Sequence, residues 1–221
     1  MSPKALVFDA YGTLFDVHSV LRRCEQFWPG KGERISQLWR TKQLEYTWQR
    51  SLMRRYQPFT RVTRAALEYA CEALGAALGS KQADLLMGDY LELAVYPDVA
   101  AALGALSVRR LAILSNGSPD MLEPLVKNSG MERHFAAVIS VDELEVFKPA
   151  PEVYELAVRK LGVAAPEIGF VSSNCWDAAG AKSFGCCVYW INRSGAPVDR
   201  LGFAPDRIIT GLGDLQALLE P

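Results

Sequence analysis

Polar side chains that could bind or transform a ligand follow four short apolar stretches of the chain. Asp9 comes directly after the run Ala5-Leu6-Val7-Phe8, and Gly12 and Thr13 then break the apolar pattern. The other three clusters are Ser115 with Asn116, then Lys148, and then Ser172, Ser173, Asn174 and Asp177. A carboxylate can act as a nucleophile or a base, and an amine can hold it ionised. Hydroxyl and amide groups can donate hydrogen bonds to an anion.

Each cluster, taken alone, also has a purely structural interpretation. Aspartate favours turns for reasons of its own backbone, so Asp9 is either a site residue or a turn residue. Ser115 could cap the helix region that starts at Pro119, Lys148 could be a solvated loop residue, and residues 172–177 could cap the next helix. These alternatives stay open for single clusters. The four together, each at the end of a predicted strand, are hard to explain as capping.

Beyond residue 109, strands and helices alternate along the chain. The predicted strands are 110–114, 136–140, 168–171, 187–191 and 207–209, and the predicted helices are 119–128, 151–161, 177–184 and 213–219. This alternation predicts βαβ units and a parallel sheet covered on both faces. We therefore expect an α/β fold with a doubly wound, Rossmann-like core. In such sheets ligands bind outside the carboxyl ends of the strands, so the four clusters should meet in one crevice.

Residues 16–95 have a different character, with helical periodicity and no strand-like alternation. The spacing predicts amphipathic helices over 34–55, 62–78 and 81–94, with Thr63 as the N-cap of the second. A further helix is expected from Pro97-Asp98 to about residue 106. The expected organisation is a core domain of residues 1–15 and 96–221, interrupted by a helical cap of residues 16–95.

Composition narrows the classes of protein. Hydrophobic residues make up 50% of the 221 residues. The 24 Lys and Arg residues nearly balance the 25 Asp and Glu residues, so the net charge does not point to a nucleic-acid partner. No apolar run reaches membrane-spanning length and no signal-peptide layout is seen, so a cytoplasmic protein is expected. The five cysteines form no CxxC, and with only two histidines no zinc-like spacing exists and a Ser-His-Asp triad is not favoured.

Four motifs resemble those of the haloacid dehalogenase superfamily. They are FDAYGTLFD, LSNGS, VFKP and VSSNCWD, and they occur in the family's order and spacing over the whole chain. Most members are phosphatases that hold Mg²⁺ with two aspartates two residues apart and with further acids in the last motif. Here Tyr11 stands two residues beyond Asp9, and the last motif has no adjacent pair of acids. These departures are similar to the L-2-haloacid dehalogenase branch.

The resemblance implies a hydrolase that acts on carbon–halide bonds. Short L-2-haloalkanoic acids would give D-2-hydroxy acids and halide through an ester on Asp9, without a metal or other cofactor. A carboxylate attacks saturated carbon only when it is desolvated and aimed, and Lys148 would keep Asp9 ionised and oriented. Ser115, Asn116 and nearby backbone N–H groups would bind the substrate carboxylate. Asp177, with Ser172 or Asn174 near it, would activate or place water for ester hydrolysis.

The remaining assignments also rest on the resemblance. Arg40 in the cap, assisted by Asn174, would stabilise the departing halide, although a surface arginine is the alternative. Thr13 and Tyr154 would support the nucleophile and the region of the substrate carboxylate. An apolar pocket for the substrate would be lined by Tyr11, Leu44, Phe59 and Trp176, for which core packing is the alternative.

Two departures from relatives, Thr41 and Cys175, are expected to alter pocket shape or halide preference.

A Mg²⁺-dependent phosphatase of the same superfamily and a non-catalytic protein that binds small acids are the alternative functions. Homodimers are common among relatives, and the apolar cap permits one.

Overall fold

The computed structural model describes residues 2–219, and its centre is a six-stranded parallel sheet. The strands are β1 (Ala5–Phe8), β2 (Arg110–Ser115), β3 (Ala137–Ser140), β4 (Ile168–Ser172), β5 (Cys187–Ile191) and β6 (Arg207–Ile209). Their order across the sheet is β3-β2-β1-β4-β5-β6. Strand order therefore reverses beside β1, which is where α/β sheets of this type bind ligands. The prediction of a doubly wound α/β core is confirmed.

Nine α-helices are found in residues 2–219. Five lie between β1 and β2, and the first four of them form the inserted helical segment: α1 (Leu21–Phe27), α2 (Gly32–Met53), α3 (Phe59–Ala73) and α4 (Ser80–Asp89). Five accompany the sheet, and they are α5 (Val99–Ala105), α6 (Pro119–Asn128), α7 (Pro151–Leu161), α8 (Cys175–Phe184) and α9 (Leu212–Leu219). None of them is long and apolar enough to cross a bilayer.

The first strand is apolar throughout because the sheet is covered on both faces. All four residues of β1 are fully buried. Its last residue, Phe8, is in register with Ile113 of β2 and Val171 of β4. The residues that follow these three strands consequently emerge at one edge of the sheet, which brings Asp9 between the ends of β2 and β4.

Several predicted helix limits differ from the structure; α2 spans Gly32–Met53 rather than 34–55, and α3 ends at Ala73 rather than at 78. Helix α3 begins at Phe59, after Pro58 at its N-cap position, so the prediction of Thr63 as N-cap was wrong. Thr63 is instead fully buried inside α3. Helix α4 ends at Asp89 rather than at 94, and α8 begins two residues before Asp177.

The chain leaves the sheet region and returns to it along two adjacent segments. Phe15 and Val95 form an antiparallel bridge. On either side of it, the Asp16 N–H donates to the Ala94 carbonyl at 2.8 Å, and the Tyr96 N–H donates to the Leu14 carbonyl at 3.1 Å. We propose that these crossings bound the cap at residues 16 and 95, as the change in sequence character suggests.

Candidate active site

The Asp9 carboxylate lies at the centre of the candidate site. Its backbone N–H donates to the Val171 carbonyl at 2.9 Å, which extends the pairing of β1 with β4 by one residue. Asp9 Oδ1 accepts from Lys148 Nζ at 3.0 Å, and Oδ2 accepts from Thr13 Oγ1 at 2.9 Å and Asn174 Nδ2 at 2.7 Å. The residue is only 6% exposed. The carboxylate is therefore both shielded from bulk water and fixed in direction.

Lys148 is buried between two carboxylates. Its Nζ lies 3.0 Å from Asp9 Oδ1 and 2.9 Å from Asp177 Oδ2. Its backbone N–H donates to Asn116 Oδ1 at 2.9 Å, so the end of β2 holds the lysine loop. Burial acts to lower the pKa of Lys148, but Asp177 and Asp9 outweigh it and hold that pKa above its ordinary value. One cation thus serves two anions.

Asp177 lies in the first turn of α8 and is fully buried. Burial raises its pKa to about 6; Lys148 opposes the rise and Asp9 adds to it. Asp177 Oδ1 accepts from the Tyr154 hydroxyl at 2.8 Å, and the same hydroxyl lies 3.2 Å from the Asp177 carbonyl. Burial, with Asp177 beside it, holds the pKa of Tyr154 well above its ordinary value, so this phenol stays a donor. The Tyr154 hydroxyl therefore bonds Asp177, whereas the resemblance implies that Tyr154 supports the nucleophile and the region of the substrate carboxylate.

The turn after β4 joins the Asp9 loop through Ser173, which the sequence analysis left out of its assignments. The Ser173 N–H donates to Thr13 Oγ1 at 2.9 Å, and its hydroxyl donates to the Gly12 carbonyl at 2.5 Å. The Ser172 hydroxyl instead accepts from the Asn174 N–H at 3.1 Å, so its role in this turn is local. The signal for Ser173 was its position in the cluster after β4.

The turn after β2 is also tied by hydrogen bonds. Ser115 Oγ accepts from the Gly117 N–H at 3.0 Å, and the Ser140 hydroxyl donates to the Gly117 carbonyl at 2.7 Å. Both Ser115 and Asn116 are buried. Ser115 therefore stabilises the turn before α6, whose N-cap position is held by Ser118, and Ser115 and Asn116 both stand at the edge of the site.

Arg40 on α2 reaches from the cap to the nucleophile loop. Its Nη2 donates to the Tyr11 carbonyl at 3.2 Å and lies 3.4 Å from Asn174 Oδ1. Its Nη1 donates to Gln43 Oε1 at 2.8 Å. Burial lowers the pKa of Arg40, and Tyr90 and Asp9 partly offset this. The alternative of a solvated surface arginine is therefore wrong, since Asn174 contacts Arg40 and Asp9 alike.

Two aromatic rings pack against Tyr11, whose carbonyl accepts from Arg40, and two tryptophans pack together beside Lys148. The Tyr11 ring is centred 5.3 Å from Phe59 and 6.2 Å from Tyr90, and burial raises the pKa of its hydroxyl. Trp176 is half-buried and packs edge-on against Trp48 at 5.3 Å. Leu44 is half-buried on α2, one turn after Arg40. Tyr90 was missed, because nothing in the spacing of α4 connects it to the site.

A cleft of about 1370 Å³ adjoins the cluster where Lys148 and Trp176 line it. Trp48, Tyr56 and Phe147 provide apolar walls. The cleft lies between the end of α2 and the loop that carries Lys148.

Thr41 and Cys175, which are expected to alter pocket shape or halide preference, make no hydrogen bond to Arg40. Thr41 is exposed, and its hydroxyl donates to the Gln37 carbonyl of the same helix at 2.9 Å. Cys175 is half-buried, and its Sγ accepts from the Asp199 N–H at 3.3 Å. For Thr41 the structure gives no contact through which pocket shape would change.

The acids of the cluster are arranged around an amine. Within residues 2–219, no group of three or more His, Cys, Asp and Glu side chains is placed to hold a metal ion. The ammonium of Lys148 occupies the space between the Asp9 and Asp177 carboxylates, where a cation would otherwise be drawn.

A parallel sheet that presents an aspartate, a lysine and a second aspartate at its strand ends, below a helical cap, is typical of one class of hydrolase. A family model for haloacid dehalogenase-like hydrolases matches residues 3–185, and the chain belongs to that family. The relatives place it more narrowly, in the L-2-haloacid dehalogenase branch.

Three relatives illustrate the similarity. A (S)-2-haloacid dehalogenase of Pseudomonas sp. (strain YL) is 47% identical over 219 residues, covering 98% of this chain and 94% of that protein. A haloacetate dehalogenase of Moraxella sp. (strain B) is 49% identical over 205 residues, covering 92% of each. The solved structure of L-2-haloacid dehalogenase from Xanthobacter autotrophicus with chloropropionic acid covalently bound has a TM-score of 0.92, 45% identity and 98% coverage of both chains.

Proposed function

We propose that this protein hydrolyses short L-2-haloalkanoic acids to D-2-hydroxy acids and halide through an ester on Asp9. The observation that carries the proposal is the Asp9 carboxylate, held by Lys148, Thr13 and Asn174 and joined through Asn174 to the cap arginine. The full-length similarity to enzymes of this activity supports it.

In the first step, an Asp9 oxygen attacks C2 of the substrate from the side opposite the halogen. The new C–O bond forms as the carbon–halogen bond breaks, and the halide leaves with the bonding electrons. Negative charge then moves from the carboxylate to the halide, so Arg40 and Asn174 would stabilise it where it develops. Attack from the rear inverts the configuration at C2.

In the second step, water attacks the ester carbonyl of Asp9. Asp177 would accept the proton from this water, and its raised pKa suits that task because an ionised base with a pKa near the working pH transfers protons well. The bond between the carbonyl carbon and the oxygen joined to C2 then breaks, and the departing alkoxide takes the proton from Asp177 and leaves as the hydroxy acid. The Asp9 carboxyl group loses its own proton to water and is a carboxylate again. Since C2 is not attacked again, a single inversion remains overall.

The substrate carboxylate would be bound at the end of β2 by Ser115, Asn116 and nearby backbone N–H groups. Two anions, this carboxylate and Asp9, would then lie close together, which is unfavourable in a shielded site. Lys148 reduces that cost. Tyr11, Phe59, Leu44 and Trp176 would enclose the apolar part of the substrate.

The phosphatase alternative is less favoured, because Tyr11 stands where the second aspartate of a phosphatase would be. The alternative of a non-catalytic binding protein is opposed by the arrangement of Asp177, Lys148 and Asp9, which supplies a base beside a nucleophile. A cytoplasmic location and a homodimer remain predictions from the sequence, and light scattering of the purified protein tests the second.

The experiment is a halide-release assay on both enantiomers of 2-chloropropionate and on chloroacetate, with and without EDTA. We expect release from the L-enantiomer, formation of D-lactate, no effect of EDTA and no release by Asp9→Asn. Chloroacetate shows how far the substrate range extends toward that of the haloacetate relative. Release of phosphate from an aryl phosphate that EDTA abolishes, without halide release, would support the phosphatase instead.

A further inference from the structure

A buried amide connects Arg40 to the neighbouring cap helix. Gln43, on α2 three residues after Arg40, accepts from Arg40 Nη1 through Oε1 at 2.8 Å. Its Nε2 donates to Thr63 Oγ1 on α3, also at 2.8 Å. Gln43 and Thr63 are both fully buried. The three side chains form a continuous chain of hydrogen bonds from α3 to the guanidinium.

The orientation of the Gln43 amide is fixed by the groups at its two ends. A guanidinium has donors only, so Gln43 must present its oxygen to Arg40 and therefore its NH₂ group to Thr63. Thr63 is also fixed relative to α2, because its backbone carbonyl accepts a hydrogen bond from Trp39 Nε1 of α2 at 2.8 Å. The amide consequently has one orientation and two fixed ends.

A polar chain of this kind is costly among apolar neighbours. Ile35, Val62 and Ala66, which lie in the same two helices, are fully buried. A buried amide costs free energy unless both of its ends are hydrogen-bonded, and an apolar residue would pack two helices equally well. Helix packing alone therefore does not account for an amide at position 43.

We propose that Gln43, anchored by Thr63, is a positioning residue that directs the Arg40 guanidinium toward the departing halide. The inference rests on the proposed function and deepens it. A neutral acceptor fixes the guanidinium without cancelling its charge. A carboxylate at the same place would hold Arg40 equally well, but it would neutralise the charge that the halide needs.

Leaving-group dependence tests this role, because a poor leaving group depends more on stabilisation than a good one. The first step is measured in single turnover with L-2-chloropropionate and L-2-bromopropionate for wild type, Gln43→Met and Gln43→Glu. We expect both variants to lose about tenfold or more in rate with the chloro substrate and clearly less with the bromo substrate. KM should change little, since the halide contact strengthens only in the transition state.

Two further pairs separate positioning from packing. Thr63→Val removes the anchor at nearly constant volume and should shift the chloro-to-bromo ratio in the same direction, whereas Thr63→Ser should restore it. Gln37→Met is the matched control, because Gln37 is exposed on the same helix and its side-chain amide bonds the exposed Glu33 instead of Arg40. Thermal unfolding of every variant reports packing separately.

Equal losses with both leaving groups, or an unchanged ratio in Gln43→Glu, would overturn the positioning role while leaving the proposed function intact. Absence of halide release by the wild type would overturn both. If Gln43→Met does not fold, Gln43→Glu and the Thr63 pair still decide the question.

Discussion

The core and the cap hold their parts of the site by different forces. In the core, Lys148 joins Asp9 and Asp177 through two ion pairs with hydrogen-bond geometry, and all three side chains are buried. In the cap, Arg40 is held by the neutral amide of Gln43 and by the Tyr11 carbonyl. Removing one charge from the core leaves its ionic partners buried and unpaired. Changing a contact in the cap leaves the ion pairs of the core intact.

This difference suggests a division of tasks. The core creates and regenerates the nucleophile, which needs charges fixed at strand ends. In the proposed reaction, the cap would supply a cation whose charge remains available for the leaving group. Substitutions in the core should therefore abolish turnover, and substitutions in the cap should change its dependence on the substrate.

The largest effect is expected for Lys148→Met. Asp9 and Asp177 would lose their shared cation, and breaking a buried ion pair costs about 3–5 kcal/mol of stability. Halide release should fall below detection, and urea unfolding should report the loss of stability. Lys160→Met, which removes an exposed ion pair with Glu143, is the control and should change neither. Turnover by Lys148→Met at a rate near wild type would contradict the claim that turnover depends on the buried ion pairs of the core.

Asp177→Asn is expected to be next, with turnover reduced about 10²–10⁴-fold because the base is lost. The variant should still release a single halide per active site and then stop, since ester formation needs only Asp9. A quenched-flow measurement of halide shows this burst. Steady turnover without a burst would mean that Asp177 does not act in the second step.

The pH dependence follows from the same group. Because Asp177 must be ionised to accept a proton, activity should fall as the pH is lowered through about 6. The contribution of Asp177 to folding stability depends on pH in the opposite direction. Its pKa lies above the ordinary value of 3.8, so the stability it contributes is full below pH 3.8 and is lost as the pH rises through about 6. Asp177→Asn should remove this loss, as unfolding at several pH values would show.

Gly180→Ala should have an intermediate effect on the core. A Cβ at this position would overlap the Tyr154 hydroxyl and lie 2.6 Å from Pro149 Cβ. Tyr154 would have to leave Asp177, and overpacking of this kind costs about 1–3 kcal/mol. Activity and melting temperature should both drop. Gly104→Ala is the matched control, because nothing lies within 4 Å of its added Cβ.

The smallest effect is expected for Thr41→Gln in the cap. Thr41 is exposed and bonds to its own helix, so the ratio of chloro to bromo turnover should stay at the wild-type value. A changed ratio would show that the exposed face of α2 affects the substrate, and it would restore the sequence-based expectation for this residue.

The core was largely predictable because its signals are local. Helix α6 has the predicted limits, with Pro119 as its first residue, and α7 ends before Gly162, whose φ of 63° suits a helix terminus. The carboxyl ends of parallel strands lie at one edge of the sheet whatever the path of the loops between them. Asp9, Lys148 and Asp177 could therefore be grouped from their positions after predicted strands. No local signal showed that Tyr154 would bond Asp177.

The cap was less predictable because its contacts depend on how helices pack. The apolar positions of α2 drift around its axis, so the sequence does not define which face meets α3. Gln43 was therefore passed over, although its spacing of three from Arg40 puts the two side chains on one face. The periodicity predicts a helix that starts near residue 62, which puts Thr63 at its N-cap, whereas the bond between Thr63 and Gln43 depends on helix packing that the sequence does not show.

The central claim is that Asp9 itself is esterified. With enzyme in excess over L-2-chloropropionate, in water labelled with heavy oxygen, the first turnover should put the label into the Asp9 carboxylate and none into the hydroxy acid. Mass spectrometry of the peptide that contains Asp9 measures this directly. Label in the hydroxy acid, with Asp9 unlabelled, would mean that water attacks C2 and would contradict the account.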